Sequence, residues 1–202
     1  MNINFGGPFI AMVALGLSAC GSGETIADPA RSAAESKPPA SDEPVAATEA
    51  KVVIALDGEG LRLVNSETGR VRLLAFGSDR AVTEAALAVP LGQPGERSSN
   101  EECGTGPMDF SDFGDFTANF QDGAFVGWFL RDGDKNSVLS TMSGVGIGTT
   151  KGEMAQSLTV EMDEESTIGT EFHAAGLSGL LESEAADAKV TDLWAGANCI
   201  FR

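Results

Sequence analysis

Residues 124–131 read AFVGWFLR, and residues 190–194 read VTDLW. Both runs are rich in β-branched, aromatic and aliphatic residues, as strands are. Trp194 lies 66 residues after Trp128, and Gly169-Thr170 lies 65 residues after Gly104-Thr105. Gly148, in Ile147-Gly148-Thr149-Thr150, lies 71 residues after Gly77, in Phe76-Gly77-Ser78-Asp79. The near-constant offset over the last two marks points to an internal repeat, with one loop shortened in the second copy.

The remaining segments fit around these marks. SDRAVTEAALAV (78–89) carries helix formers behind Ser78 or Asp79 as N-cap. LGQPGERSSNEE (91–102) reads as a loop. FTANF, AFVGWFLR and SVLSTM read as strands, joined by QDG and DGDKN turns. Upstream, KVVIALDG (51–58) reads as a strand, and GLRLVNSETGRVRLLAFG (60–77) as a hairpin about an Asn-Ser-Glu-Thr-Gly turn. The expected fold is α+β: two tandem repeats of a short helix plus antiparallel strands, sharing one sheet and preceded by a β-hairpin. The hairpin spans 51–75, repeat one 76–136 and repeat two 137–202.

Such a tandem unit resembles the β-lactamase inhibitor protein, built from two helix-plus-sheet units. It also resembles the small lipoprotein of the outer-membrane β-barrel assembly machine, which has one. The shared local feature is a Gly-[Ser/Thr] step into a short helix, here Gly77-Ser78 and Gly148-Thr149. Both families work by binding proteins, so the resemblance implies a binding function and supplies no contact residue.

The first fifty residues speak to location. Phe5 to Ala19 carry no charge, a run shorter than the ~20 residues of a membrane-spanning helix and suited to the apolar part of an export signal. It ends Leu17-Ser18-Ala19-Cys20, which resembles the lipobox of bacterial lipoproteins. The resemblance implies cleavage before Cys20, diacylglycerol on its thiol and an acyl chain such as palmitate on the new amine. Gly21, rather than Asp, follows the cysteine, which resembles a lipoprotein released to the outer membrane. Residues 1–19 are then a signal peptide. Residues 20–50, with ESKPPASDEPVAATEA, form an acidic Pro/Ala/Ser tether, and residues 51–202 the folded domain. The expected location is the bacterial membrane, facing the periplasm.

The charge balance narrows the partners. The 202 residues hold 13 Lys+Arg against 30 Asp+Glu, a formal net charge of −17. A chain this acidic has no basic surface with which to displace counterions from nucleic acid, so nucleic-acid partners are excluded. With no Tyr and a single His, candidates for general acid–base catalysis are scarce.

Several motifs come close to known chemistry. SGVGIGTTKGEM places Gly144, Gly146 and Gly148 before a helix, but Gly-Thr-Thr-Lys is not the phosphate-loop order Gly-Lys-Thr. Thr150 and Glu153 there form a capping box. DFSDFGDF sets Asp109, Asp112 and Asp115 three apart, with nothing to converge them on a hard cation. Asp132, Asp134 and Asn136 match the first half of a calcium loop, but Ser137 and Ser143 stand where Gly and Glu are needed. His173 has no Cys/His partner set in sequence for zinc, and Ser178 misses the nucleophile-elbow spacing. No catalytic residue, cofactor or metal is therefore expected. Trp128 and Trp194 read as core anchors of each copy, or as a paired aromatic surface for a partner.

Three cysteines remain to be placed. With Cys20 lipidated, Cys103 and Cys199 are an even pair in an exported protein, and a disulfide between them is expected. GANCIFR also resembles, over Asn198-Cys199 alone, the active-site Asn-Cys step of aspartate-semialdehyde dehydrogenases. That resemblance would imply an oxidoreductase with Cys199 as nucleophile. The family's glycine-rich cofactor loop is absent, and no His follows Cys199. The expected function is that of a lipid-anchored envelope protein that binds another envelope protein, as an assembly factor or inhibitor, rather than an enzyme. The third alternative is a structural lipoprotein with no specific partner.

Overall fold

The computed structural model describes residues 51–133 and 138–200. The signal segment, Cys20 and the tether lie outside the described residues, as do Asp134, Asn136 and Ser137. The described chain is mostly β-sheet, in two sheets, with two helices.

The first sheet begins with β1 (Val52–Asp57), β2 (Gly60–Asn65) and β3 (Val71–Ala75), an antiparallel meander. Segment 51–75 is thus three strands, two successive hairpins. Asn65 Oδ1 accepts from the Glu67 and Thr68 amides and closes the turn read in the sequence. A two-residue strand β8 (Ser140–Thr141) joins β1 in parallel, giving the order β3-β2-β1-β8. SVLSTM therefore contributes only two strand residues.

Helix α1 (Arg80–Leu91) begins at Asp79, whose carboxylate accepts from the Ala81 and Val82 amides at 2.8 and 3.3 Å. This satisfies donors that a helix start leaves unpaired. It ends at Gly92, whose positive φ suits a helix exit. Helix α2 (Lys151–Met154) is a single turn. Thr150 and Glu153 form the expected capping box around it.

The second sheet has eight strands: β4 (Glu96–Asn100), β5 (Met108–Phe113), β6 (Phe116–Gln121), β7 (Ala124–Arg131), β9 (Glu161–Asp163), β10 (Thr170–Ala174), β11 (Leu177–Leu181) and β12 (Val190–Gly196). Its order is β4-β5-β6-β7-β12-β11-β10-β9, with every neighbour antiparallel. The stretch LGQPGERSSNEE, read as a loop, contains β4. That strand is polar and almost wholly exposed at the sheet edge, so it carries no apolar alternation to betray it. The Asp122-Gly123 turn between β6 and β7 has positive φ at both residues, as a tight hairpin requires.

One face of the large sheet is the core. Phe113, Phe116, Phe120, Trp128, Leu130, Phe172 and Leu193 project from it and pack with Leu56, Leu61 and Leu63 of the small sheet, Leu87 of α1 and Met154 of α2. The Trp128 indole N–H donates to the carbonyls of Gly60 at 2.9 Å and Asp57 at 3.1 Å, joining the two sheets.

An ion network fastens α1 to the outer strands. Glu84 receives Arg97 at 2.8 Å, Ser111 Oγ at 2.6 Å and Arg80 at 3.0 Å. The Arg80 guanidinium also reaches Asp109 at 3.1 Å and lies over the Phe120 ring. The Arg97 hydrogen bond, helped by Ser111 and Arg80, lowers the Glu84 pKa to about 2 against burial, which opposes it. A carboxylate with a depressed folded pKa stabilises the fold above its unfolded pKa and loses that effect as pH falls through the folded one. Glu84→Gln is therefore expected to be less stable than the parent at pH 7 by about 1–2 kcal/mol, after allowing for solvent screening of the exposed Arg97. The difference should shrink between about pH 5 and pH 2, as urea midpoints measured across that range would show.

Candidate functional site

Side chains alternate along a strand, so residues beside the core positions form the opposite face of the large sheet. Phe110 and Asp112 of β5, Phe129 and Arg131 of β7, and Asp192 and Trp194 of β12 line a groove of about 630 Å³ there. Phe129 is the cross-strand partner of Trp194, and their rings stack 5.9 Å apart at 11°. Trp194 is only 5% exposed, so it forms the floor and not a projecting knob. The two tryptophans thus sit on adjacent strands but on opposite faces. Trp128 is a core anchor, whereas Trp194 lies under the groove.

One end of the groove is closed by residues 197–200, which pass over this face. The Ala197 amide donates to the Val126 carbonyl at 2.8 Å. The buried Asn119 side chain donates to the Ala197 carbonyl at 3.0 Å and to Asn198 Oδ1 at 2.7 Å. Gly127 lies beneath this segment. A Cβ there would stand 2.1 Å from the Ala197 oxygen, so no side chain fits while the strap is down. Beyond it, Cys199 is bridged to Cys103 in the β4–β5 loop, with the Cα atoms 4.9 Å apart. The expected disulfide is present. A bridged sulfur has no thiolate, so Cys199 in this state offers no nucleophile.

The acidic motifs are dispersed. Asp109 and Asp112 lie on opposite sides of β5, because a three-residue step on a strand changes face. Asp109 pairs with Arg80, while Asp112 accepts from Thr117 Oγ1 in the groove. Asp115 sits in the turn that follows, where its backbone carbonyl accepts from the Arg131 amide. Gly148 donates its amide to the Val190 carbonyl, a structural turn at the start of β12.

His173 and Ser178, isolated in sequence terms, are brought together. They are directly opposite each other in the β10–β11 hairpin, with Nδ1 and Oγ 2.8 Å apart. The other ring nitrogen lies 3.8 Å from Asp163 on the edge strand β9. Gly176 is the one residue in the sequence that hints at the turn; Ala175 and Gly176 both take positive φ there and set this register.

The chain matches no protein-family model, no curated protein and no solved structure. The groove and the strap are therefore interpreted on their own chemistry.

Proposed function

We propose that this is a lipid-anchored bacterial envelope protein that binds another envelope protein through the groove face of its large sheet. The observation that carries the proposal is the stacked Phe129–Trp194 floor beneath a groove whose end is fixed by a disulfide-held strap. A rigid aromatic floor with a polar rim is the make-up of an interface centre. Asp112 and Asp192 outnumber Arg131 in the groove, and with the net charge of −17 they favour a partner segment that carries apolar side chains flanked by Lys or Arg.

The repeat belongs to the same proposal. In chain order α1 precedes β4–β7 and α2 precedes β9–β12, and the two runs meet at the β7–β12 pair. This order supports two tandem helix-plus-strand units that share a sheet, as in the inhibitor and assembly-lipoprotein families that the sequence resembles. Leu17-Ser18-Ala19-Cys20 supports lipidation at Cys20, and Gly21 supports the outer membrane as the destination. Acylated chains hold such a protein at the membrane, and about thirty tether residues give it a reach of roughly 30 Å.

Two measurements test this. Full-length protein expressed in its native host or a related one should partition into detergent with mass added at a new N-terminal cysteine. Cys20→Ala should abolish both, and an unmodified N-terminus on the mature membrane-bound protein would exclude the anchor. Affinity capture from detergent-solubilised envelopes should recover one recurrent protein. Phe129→Ser should weaken its binding by about 30-fold or more, the size of an interface-centre loss. Unchanged recovery with a folded Phe129→Ser protein would remove the groove from the interface.

A further inference from the structure

We propose that Asp163, Glu171 and His173 bind a divalent transition-metal ion at the outer edge of the large sheet. The site is separate from the groove, and the proposal stands whether or not the groove binds a protein.

Two adjacent strands carry it. Asp163 on β9 is the cross-strand partner of Glu171 on β10, and His173 follows two residues along β10. The period of two sends all three side chains out of the same face. One ligand atom from each lies within 4.8 Å of the others. His173 Nε2 and Asp163 Oδ2 are 3.8 Å apart. Two ligands of one tetrahedral ion at ~2.0–2.1 Å stand ~3.3 Å apart, so small side-chain rotations suffice to close on an ion.

The imidazole is already aimed. Ser178 Oγ holds Nδ1 at 2.8 Å. With the hydroxyl as acceptor, the proton sits on Nδ1, and the Nε2 lone pair faces Asp163. This is the outer-sphere arrangement that orients metal-binding histidines. The carboxylates complete the cluster. Glu171 is wholly buried, with Ser166 Oγ donating to it at 2.8 Å, and Asp163 is beside it.

The donor set selects the class of ion. One imidazole nitrogen with two carboxylate oxygens suits zinc and its first-row neighbours. Calcium takes six to eight oxygens, and magnesium keeps to oxygen ligands and water. The Asp163 and His173 side chains are 26% and 44% exposed, so water can complete the coordination sphere.

The test uses the full-length chain without a histidine tag, stripped with chelator and dialysed, then titrated calorimetrically with Zn²⁺ at physiological salt. The expected result is one ion per chain with Kd in the micromolar range or tighter, and no competition from equimolar Ca²⁺ or Mg²⁺. His173→Ala and Asp163→Asn alter partly exposed side chains and should each weaken binding by 30-fold or more. Ser178→Ala should weaken it by about 10–100-fold through the ring orientation alone. Substituting Co²⁺ should give visible absorption bands that His173→Ala changes. Zn²⁺ binding that survives both His173→Ala and Asp163→Asn would be diffuse attraction to an acidic surface and would overturn the proposal. So would the absence of a stoichiometric site, or equal displacement by Ca²⁺.

Discussion

Cys103→Ser is expected to lower the stability of the folded protein by about 4–5 kcal/mol, the chain-entropy cost of opening a loop of this length. The bridge joins residues 96 apart in sequence. It ties the loop behind the edge strand β4 to the segment that leaves the central strand β12. Cys199→Ser should cost a similar amount, and the double substitution little more than either, because one cross-link is lost in all three. Reduced and oxidised wild-type protein unfolded in urea should reproduce the difference. The effect should also reach the groove. Without the bridge, residues 197–200 keep the hydrogen bonds to Asn119 and Val126 and those of the Asn198 side chain to Ala195 and Gly196, but lose their covalent tie to the β4–β5 loop. Partner binding should therefore fall in the Cys199→Ser protein even where it remains folded. Rapid alkylation of Cys199 in the folded, unreduced protein would contradict the bridge and restore a thiol nucleophile at that position.

The features legible in the sequence are those set by neighbouring residues. Ser78 or Asp79 ahead of an alanine-rich run gave the start of α1 to within a residue, Asp122-Gly123 the β6–β7 turn, and Thr150 with Glu153 the cap of α2. An even pair of cysteines, in a chain whose start resembles an export signal, was enough to suggest the bridge. What escaped is set by partners far along the chain. β4 has no apolar pattern because both its faces are largely exposed. Pairing the tryptophans at an offset of 66 mistakes the face, since a strand repeats every two residues and a one-residue slip reverses it. At an offset of 65, Trp194 corresponds to Phe129, and these are the two rings that stack across β7 and β12. His173 was unreadable as a ligand for the same reason. Metal motifs are sought at short spacings along one element, whereas Asp163, Ser178 and His173 meet through the registers of two strand pairs.

Trp128→Ala is expected to cost about 3–5 kcal/mol, as large-to-small changes at buried aromatic positions do. Its significance lies in where the ring sits. Trp128 is wholly buried, stacks with Phe116 at 6.3 Å and donates its N–H to two carbonyls at the β1–β2 turn. Trp128→Phe separates the two contributions. It keeps most of the aromatic volume and removes the donor, so both indole hydrogen bonds are lost, at a cost of about 1–3 kcal/mol for the two. Trp194 is then the only tryptophan left, so fluorescence reports the groove face directly, while far-ultraviolet circular dichroism reports both sheets. If the indole bonds join the two sheets as one cooperative unit, the two signals should shift to lower urea together in Trp128→Phe and remain coincident. If the transitions separate, the small sheet unfolds independently and Trp128 is not the joint. If the midpoint is unchanged, the two hydrogen bonds contribute nothing net, and the packing of the ring alone accounts for its place in the core.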